Sequence, residues 1–283
     1  MKKIINNFMK LSYITPTAYI KNYQSQGNFV LALAHLMNLH ESNEYERVIL
    51  DTELPIILDN GLFENHTPEG IDSLITKGLR IRATHFFAPD HLFDKKRTEE
   101  DLNHAIYILK QRCANSYIKI AAVVQGETEE EWLEQYDKFQ EIPEVDLIGL
   151  SILSVPRCFG SWNNERHTKK DIYQHRDSEI TPSRIKLLKK LLERGGNNKK
   201  CHLLGLGNSY EDVIFAAQNC PFVISNDTSS AFWNGIQGKK ILDDGKIEGG
   251  KTEVKVNFNF KDATQEQLNN AQYNINKVKN LIV

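Results

Sequence analysis

Residues Ile118-Lys119-Ile120-Ala121-Ala122-Val123-Val124-Gln125-Gly126 decide how the chain folds. The run is apolar almost without interruption and too short for an ordinary helix. Its apolar side chains do not alternate with polar ones, which is the pattern of a strand covered on both faces. It then stops at a carboxamide and a glycine.

Working outward, the same design recurs on both sides. Phe29 to Ala34, Pro55 to Leu58 and Ile81 to Phe87 precede it; Val145 to Ile152, Cys201 to Leu206 and Pro221 to Ser225 follow. Helical patterns lie between. Thr98 to Arg112 places Leu102, Ala105, Ile106 and Leu109 on one face. Thr128 to Gln140 opens with a threonine cap and three glutamates, which suit the positive end of a helix. Thr181-Pro182 starts a helix through Leu192 that ends at Gly195-Gly196, Ser209 to Gln218 has a serine cap, and Gln265 to Ile282 reads as a closing helix. Strands alternating with helices build a parallel sheet. The expectation is an α/β fold, a (β/α)8 TIM-type barrel forming a single domain over residues 1–283. Seven strands are legible. Leu11 to Ile14 or Val254 to Phe260 supplies the eighth, the latter alternating and equally suited to a hairpin outside the barrel.

Composition fits this reading. A barrel needs about 250 residues, and the chain has 283, with 40% hydrophobic and 25% charged content. No apolar stretch approaches the roughly 20 residues that span a bilayer, and the basic start runs into asparagines rather than a long apolar segment, so neither a membrane span nor a secretion signal is expected. Cys113, Cys158, Cys201 and Cys220 form no CxxC pair, which points to free thiols in a reducing cytoplasm rather than a disulfide framework or zinc cluster. A net charge of −2 argues against coating nucleic acid by bulk charge and leaves room for a local basic patch. The stretch from about 154 to 180 is long and poor in periodicity. It holds Arg157, Trp162, Arg166, His167, Lys169, Lys170, His175 and Arg176, a set suited to phosphate contact and base stacking, with a plain surface insertion as the alternative.

Polar residues close most strands: His35, Asp59-Asn60, Asp90, Gln125-Gly126, Ser151, Gly207-Asn208 and Asn226-Asp227. In a parallel barrel these ends open on one face, and that face carries the active site. Any one of them also serves as a turn residue; their convergence is what counts. His35 and His85 are expected near the same mouth, and Phe86 or Phe87 either stacks on a ligand or packs in the core. No cluster with metal-ligand spacing is present, so no metal and no cofactor are expected.

In this order the motifs resemble those of the tRNA-guanine transglycosylase family. Leu58-Asp59-Asn60-Gly61-Leu62-Phe63-Glu64 is similar to its aspartate-bearing strand end, and Val123-Val124-Gln125-Gly126 to its Val-Gln-Gly motif. Gly149-Leu150-Ser151 falls at a base-contacting strand end, Leu204-Gly205-Leu206-Gly207 resembles a later Met-Gly-Val-Gly segment, and Asn226-Asp227 takes the place of the nucleophile. The resemblance covers about residues 29 to 235. The family's Cys-x-Cys-x-x-Cys zinc site and its subdomain are missing. The short zinc-free form looks more like the phage and bacterial 7-deazaguanine DNA transglycosylases, which favours DNA over tRNA.

The resemblance implies a glycosyltransferase that exchanges guanine in DNA for a 7-deazaguanine base such as preQ0. Asp227 would be the nucleophile and Asp59 the general acid/base. Asp90, Gln125, Gly126, Gly149, Ser151, Gly207 and Asn60 would bind the base, and Arg157 a phosphate. The enzyme would work in the cytoplasm, the host's if the chain is viral. The alternatives are a tRNA enzyme, another barrel activity such as a glycosidase or aldolase, and an inactive nucleic-acid-binding barrel. An aldolase needs a lysine at a strand end; the only strand lysine noted is Lys119, inside its strand.

Overall fold

The computed structural model describes residues 9–112, 116–160, 177–250 and 256–282. Trp162, Arg166, His167, Lys169, Lys170, His175 and Arg176 lie outside them, as does Cys113. Eight parallel strands form one sheet that curls into a nearly closed barrel, a (β/α)8 TIM-type fold. The strands are β1 (Lys10–Tyr13), β2 (Val30–Leu33), β3 (Ile56–Asp59), β4 (His85–Phe87), β5 (Lys119–Val123), β6 (Val145–Ser151), β7 (Lys200–Leu204) and β8 (Val223–Thr228). Their order is β1-β8-β7-β6-β5-β4-β3-β2, so the first strand pairs with the last.

The eighth strand is therefore the N-terminal one. The alternating segment 256–260 forms no strand; the Thr17 N–H donates to its Phe258 carbonyl at 3.1 Å, which lays it across the barrel mouth. Side chains and single backbone bonds, rather than a regular ladder, join β1 to β2. Leu31 N–H donates to Ser12 Oγ at 2.9 Å, Leu11 N–H to Asn28 Oδ1 at 3.0 Å, and Asn28 N–H to the Leu11 carbonyl at 2.8 Å.

Helices needed to place the site are α1 (Leu62–Asn65), α2 (Glu129–Glu141), α3 (Asp177–Arg194), α4 (Ser230–Ile236) and α5 (Gln265–Ile282). Thr128 caps α2, accepting from Glu131 N–H at 3.2 Å. α3 begins earlier than its Thr181-Pro182 signal, so the proline sits in the second turn of the helix, where it removes one N–H from the ladder. α5 buries Ala271, Ile275, Val278 and Ile282 along one stripe, each large member contributing about 1.5–3 kcal/mol. Its buried Asn274 accepts from Ile241 N–H and donates to the Lys239 carbonyl, and its backbone at Ala271 crosses so close to Gly235 of α4 that a Cβ there would lie 2.4 Å away. α4, which follows β8 directly, is thereby fixed over the mouth.

Candidate active site

The C-terminal ends of the strands enclose a cavity of about 530 Å³, a size suited to a small molecule. Leu31, Leu33, Val123 and Leu204 make an apolar floor, while Asp59, Asn60, Glu64, Asp90, Ser151 and Asp227 line it as well. Among the described residues, four buried polar atoms on the cavity lining have no hydrogen-bond partner: His35 Nδ1, Glu64 Oε2, Trp233 Nε1 and Asn234 Oδ1. Such groups are costly when left unpaired, and a polar ligand would satisfy them.

At the end of β3, Asp59 Oδ2 accepts from the Gly61 N–H at 2.8 Å, forming a tight turn into α1 with Gly61 in the left-handed region (φ +78°). The next residue starts a buried chain of carboxamides. Asn60 Nδ2 donates to Asp90 Oδ1 at 2.7 Å and to the Ala88 carbonyl at 2.9 Å; Gln125 Nε2 donates to Asp90 Oδ2 at 2.5 Å. Gln125 Oε1 in turn accepts from Phe93 N–H at 3.2 Å. Three strand ends are thus tied through one carboxylate.

On β8, Asp227 Oδ1 accepts from His202 Nε2 at 2.9 Å and from Gly205 N–H at 3.0 Å. Gly205 is left-handed (φ +69°), a shape that suits glycine. Its carbonyl accepts from Arg184 Nη2 and Asn226 Nδ2, both at 3.0 Å. Arg184, wholly buried on α3, also pairs through Nε with the equally buried Asp212 at 2.6 Å.

The acids share one field. Burial pushes the Asp59 carboxyl well above the usual carboxylate range, and the charges of Glu64, Asp227 and Asp90 push it further, against the pull of the Gly61 N–H. Burial also raises Glu64 to about 7, helped by Asp227. Asp90 is raised by burial to about 6, the hydrogen bonds from Asn60 and Gln125 opposing. Beside them, burial lowers His35 to about 4. Its Nδ1 lies 3.6 Å from Glu64 Oε2, so near neutral pH the imidazole is uncharged and does not neutralise the acid.

The structure brings Asp59, Asn60, Asp90, Ser151 and Asp227 to one cavity wall and leaves other expected contacts behind it. Gln125 is wholly buried with its amide engaged by Asp90 and Phe93, and it supports the cavity from outside. A Cβ on Gly149 would meet Leu204, Phe87 and Val123 side chains at 2.8–3.1 Å, so this glycine makes room for barrel packing. Gly126 accommodates the backbone of α2 at Trp132, and Gly207 the side chains of Ile180 and Thr181 on α3. Arg157 sits over the Phe93 ring at 4.6 Å and beside Glu127 at 3.4 Å, away from the cavity lining. Ser151 Oγ accepts from Leu153 N–H at 3.2 Å.

Phe86 and Phe87 are fully buried core residues. His85 is not at the mouth. It begins β4, and its Nε2 bonds Asp146 at the start of β6 at 2.8 Å, on the opposite end of the barrel. His35 does line the cavity, its ring edge-on to Phe258.

Glu64, His202, Trp233 and Asn234 were not singled out as site residues from the sequence. The signal for His202 was a polar ring inside an otherwise apolar run; for Glu64 it was an acid one helical turn beyond a strand-end aspartate. Among the described residues no group of three or more His, Cys, Asp or Glu side chains is gathered as a metal site, and no helix is long and apolar enough to cross a membrane. Neither the scan of protein-family models nor the search of curated proteins gives a match to this chain.

Proposed function

We propose that the protein is a base-exchange transglycosylase, replacing guanine in DNA with a 7-deazaguanine base such as preQ0 through a covalent glycosyl–Asp227 intermediate. One observation carries the reading. Asp59 and Asp227, remote in the chain, line one cavity and differ in surroundings: Asp59 is raised by burial and neighbouring acids, whereas Asp227 receives two N–H donors on one oxygen. Two carboxyl groups in contrasting environments are the means of running acid and nucleophile chemistry at one carbon.

The steps follow from that contrast. Protonated Asp59 donates its proton to the departing guanine as Asp227 attacks the anomeric carbon. The carbon–nitrogen bond breaks and an ester to Asp227 forms. The incoming 7-deazaguanine then gives its ring N–H proton to the Asp59 carboxylate. Its nitrogen attacks the same carbon and releases Asp227, restoring both groups. Asp90 and Asn60 offer the polar edge that orients a guanine-like ring, with Gln125 holding Asp90 from behind. The sugar is reachable only in a flipped or single-stranded nucleotide, and the apolar floor suits a flat base.

The test uses the full chain with labelled guanine or a 7-deazaguanine and either single-stranded DNA or tRNA. A denaturation-resistant protein–DNA adduct and incorporation into DNA are expected. Incorporation into tRNA alone overturns the DNA assignment, and an adduct that persists in Asp227→Ala removes this residue as nucleophile.

A further inference from the structure

His202 has no place in the exchange steps, yet its surroundings are specific. It is wholly buried, edge-on to Phe29 and tilted against Phe87, each 5.7 Å away between ring centres. The rings it packs against are apolar, so packing alone would be met by another apolar side chain. In the β7–β8 register His202 pairs with Ser225. Ser225 and Asp227 are two apart and share the inward face, and the imidazole spans both. Nδ1 lies 2.8 Å from Ser225 Oγ, and Nε2 lies 2.9 Å from Asp227 Oδ1. With the Ser225 hydroxyl donating to Nδ1, the proton of a neutral ring sits on Nε2 and points at the carboxylate.

The other donor to Oδ1 is the Gly205 N–H, part of a peptide clamped by Arg184 and Asn226. One donor leaves a carboxylate free to swing about that bond; two fix its plane. No hydrogen bond engages Asp227 Oδ2 among the described residues, and Asp227 lines the cavity whereas His202 does not.

We infer that His202 is a positioning residue for Asp227, holding Oδ1 so that Oδ2 is the oxygen presented to the anomeric carbon. The kinetic consequence rests on the base-exchange reading; the geometric one does not.

Two substitutions in the full-length chain separate the roles of the ring. His202→Phe keeps an aromatic body and removes both nitrogens. His202→Gln supplies an amide N–H in place of Nε2. Single-turnover adduct formation with a guanine-containing single-stranded oligodeoxynucleotide should fall about 100-fold in His202→Phe. Half-saturation by DNA should stay within about threefold, the mark of an interaction that acts on the reacting geometry. His202→Gln should recover about tenfold of the loss. A phenylalanine variant as fast as wild type overturns the inference, as does a glutamine variant with wild-type melting temperature and no recovery. If the phenylalanine variant does not fold, Ser225→Ala loosens the ring without emptying the core. It should slow the reaction about threefold to tenfold, and an unchanged rate counts against the inference.

Crystal structures provide the arm that needs no activity. The Asp227 carboxylate should rotate away in His202→Phe and stay about 3 Å from the Gly205 N–H in His202→Gln. An Asp227 side chain unmoved in His202→Phe overturns the inference. A wild-type protein that forms no adduct overturns base exchange and leaves these structures to decide the role of His202.

Discussion

The two ends of the barrel treat carboxylates in opposite ways. At the N-terminal end Asp146 is half-exposed and shared between His85 at 2.8 Å and Lys119 at 2.9 Å. Burial pushes its carboxyl up, but those two hydrogen bonds outweigh it, and the group lies below the usual range. At the C-terminal end no lysine or arginine among the described residues pairs with Asp59, Glu64 or Asp90, and the pull of His91 on Asp90 is weaker than its burial. Burial raises all three, and neighbouring acids raise Asp59 and Glu64 further. Desolvation opposes ionisation at both ends; a compensating partner decides which way a carboxyl moves. The N-terminal end spends its acids on holding strands together. The mouth leaves burial dominant over compensation, which costs stability and keeps these carboxyls protonated to a higher pH than usual.

The strongest way to break this contrast is at Asp59. Asp59→Asn removes the stored proton and should slow base exchange by about 10²–10⁴-fold, measured as transfer of labelled base into DNA. A loss below tenfold would leave Asp59 no acid/base role. The wild-type rate should also fall as pH rises through the elevated range of the Asp59 carboxyl, because the first step consumes the protonated form.

Arg184→Met tests the compensated pair behind the mouth. It strands the buried Asp212 and takes away one of the two donors to the Gly205 carbonyl, and should cost about 3–5 kcal/mol in urea unfolding. A change under about 1 kcal/mol would show that burial there is incomplete.

Glu64→Gln should have the reverse sign. A carboxyl raised from 4.5 to about 7 binds protons in the folded state that the unfolded state has already released. Its contribution to stability therefore declines as pH rises from about 4.5 to 7. The amide should be more stable than wild type at pH 8, on the order of 1–3 kcal/mol, with the gain vanishing below pH 4.5. An equal gain at both pH values would mean that the effect is packing rather than charge. The smallest effect belongs to the other end. Asp146→Asn should change stability by less than about 1 kcal/mol and base exchange by less than about twofold.

Much of the barrel is readable in the sequence because doubly covered strands leave unbroken apolar runs such as Ile118 to Val124. β1 is the exception. It is four residues long, and only its pairing with β8 identifies it over the more strand-like alternation of 254–260. The positions of Asp59, Asp90 and Asp227 were legible as strand ends. Where their neighbours point was not. Gln125 turns to Asp90 rather than the cavity, Gly149 yields its space to Phe87, and His202 reaches across a strand. These depend on register between strands and on packing from helices far along the chain, neither of which a local pattern contains. The same holds for Val256 and Phe258, whose alternation suggested a hairpin and which instead wall the cavity.

The join between β1 and β2 has a consequence for how the protein is made. Ser12 lies opposite Asp227 in the β1–β8 register while its hydroxyl accepts from Leu31, so the strand that carries Asp227 is stitched to the first strand of the barrel. The ring closes only after β8 has left the ribosome and found a partner synthesised some two hundred residues earlier, the costliest kind of contact to search for. An incomplete barrel therefore lacks the strand that holds Asp227 in register beside Ser12.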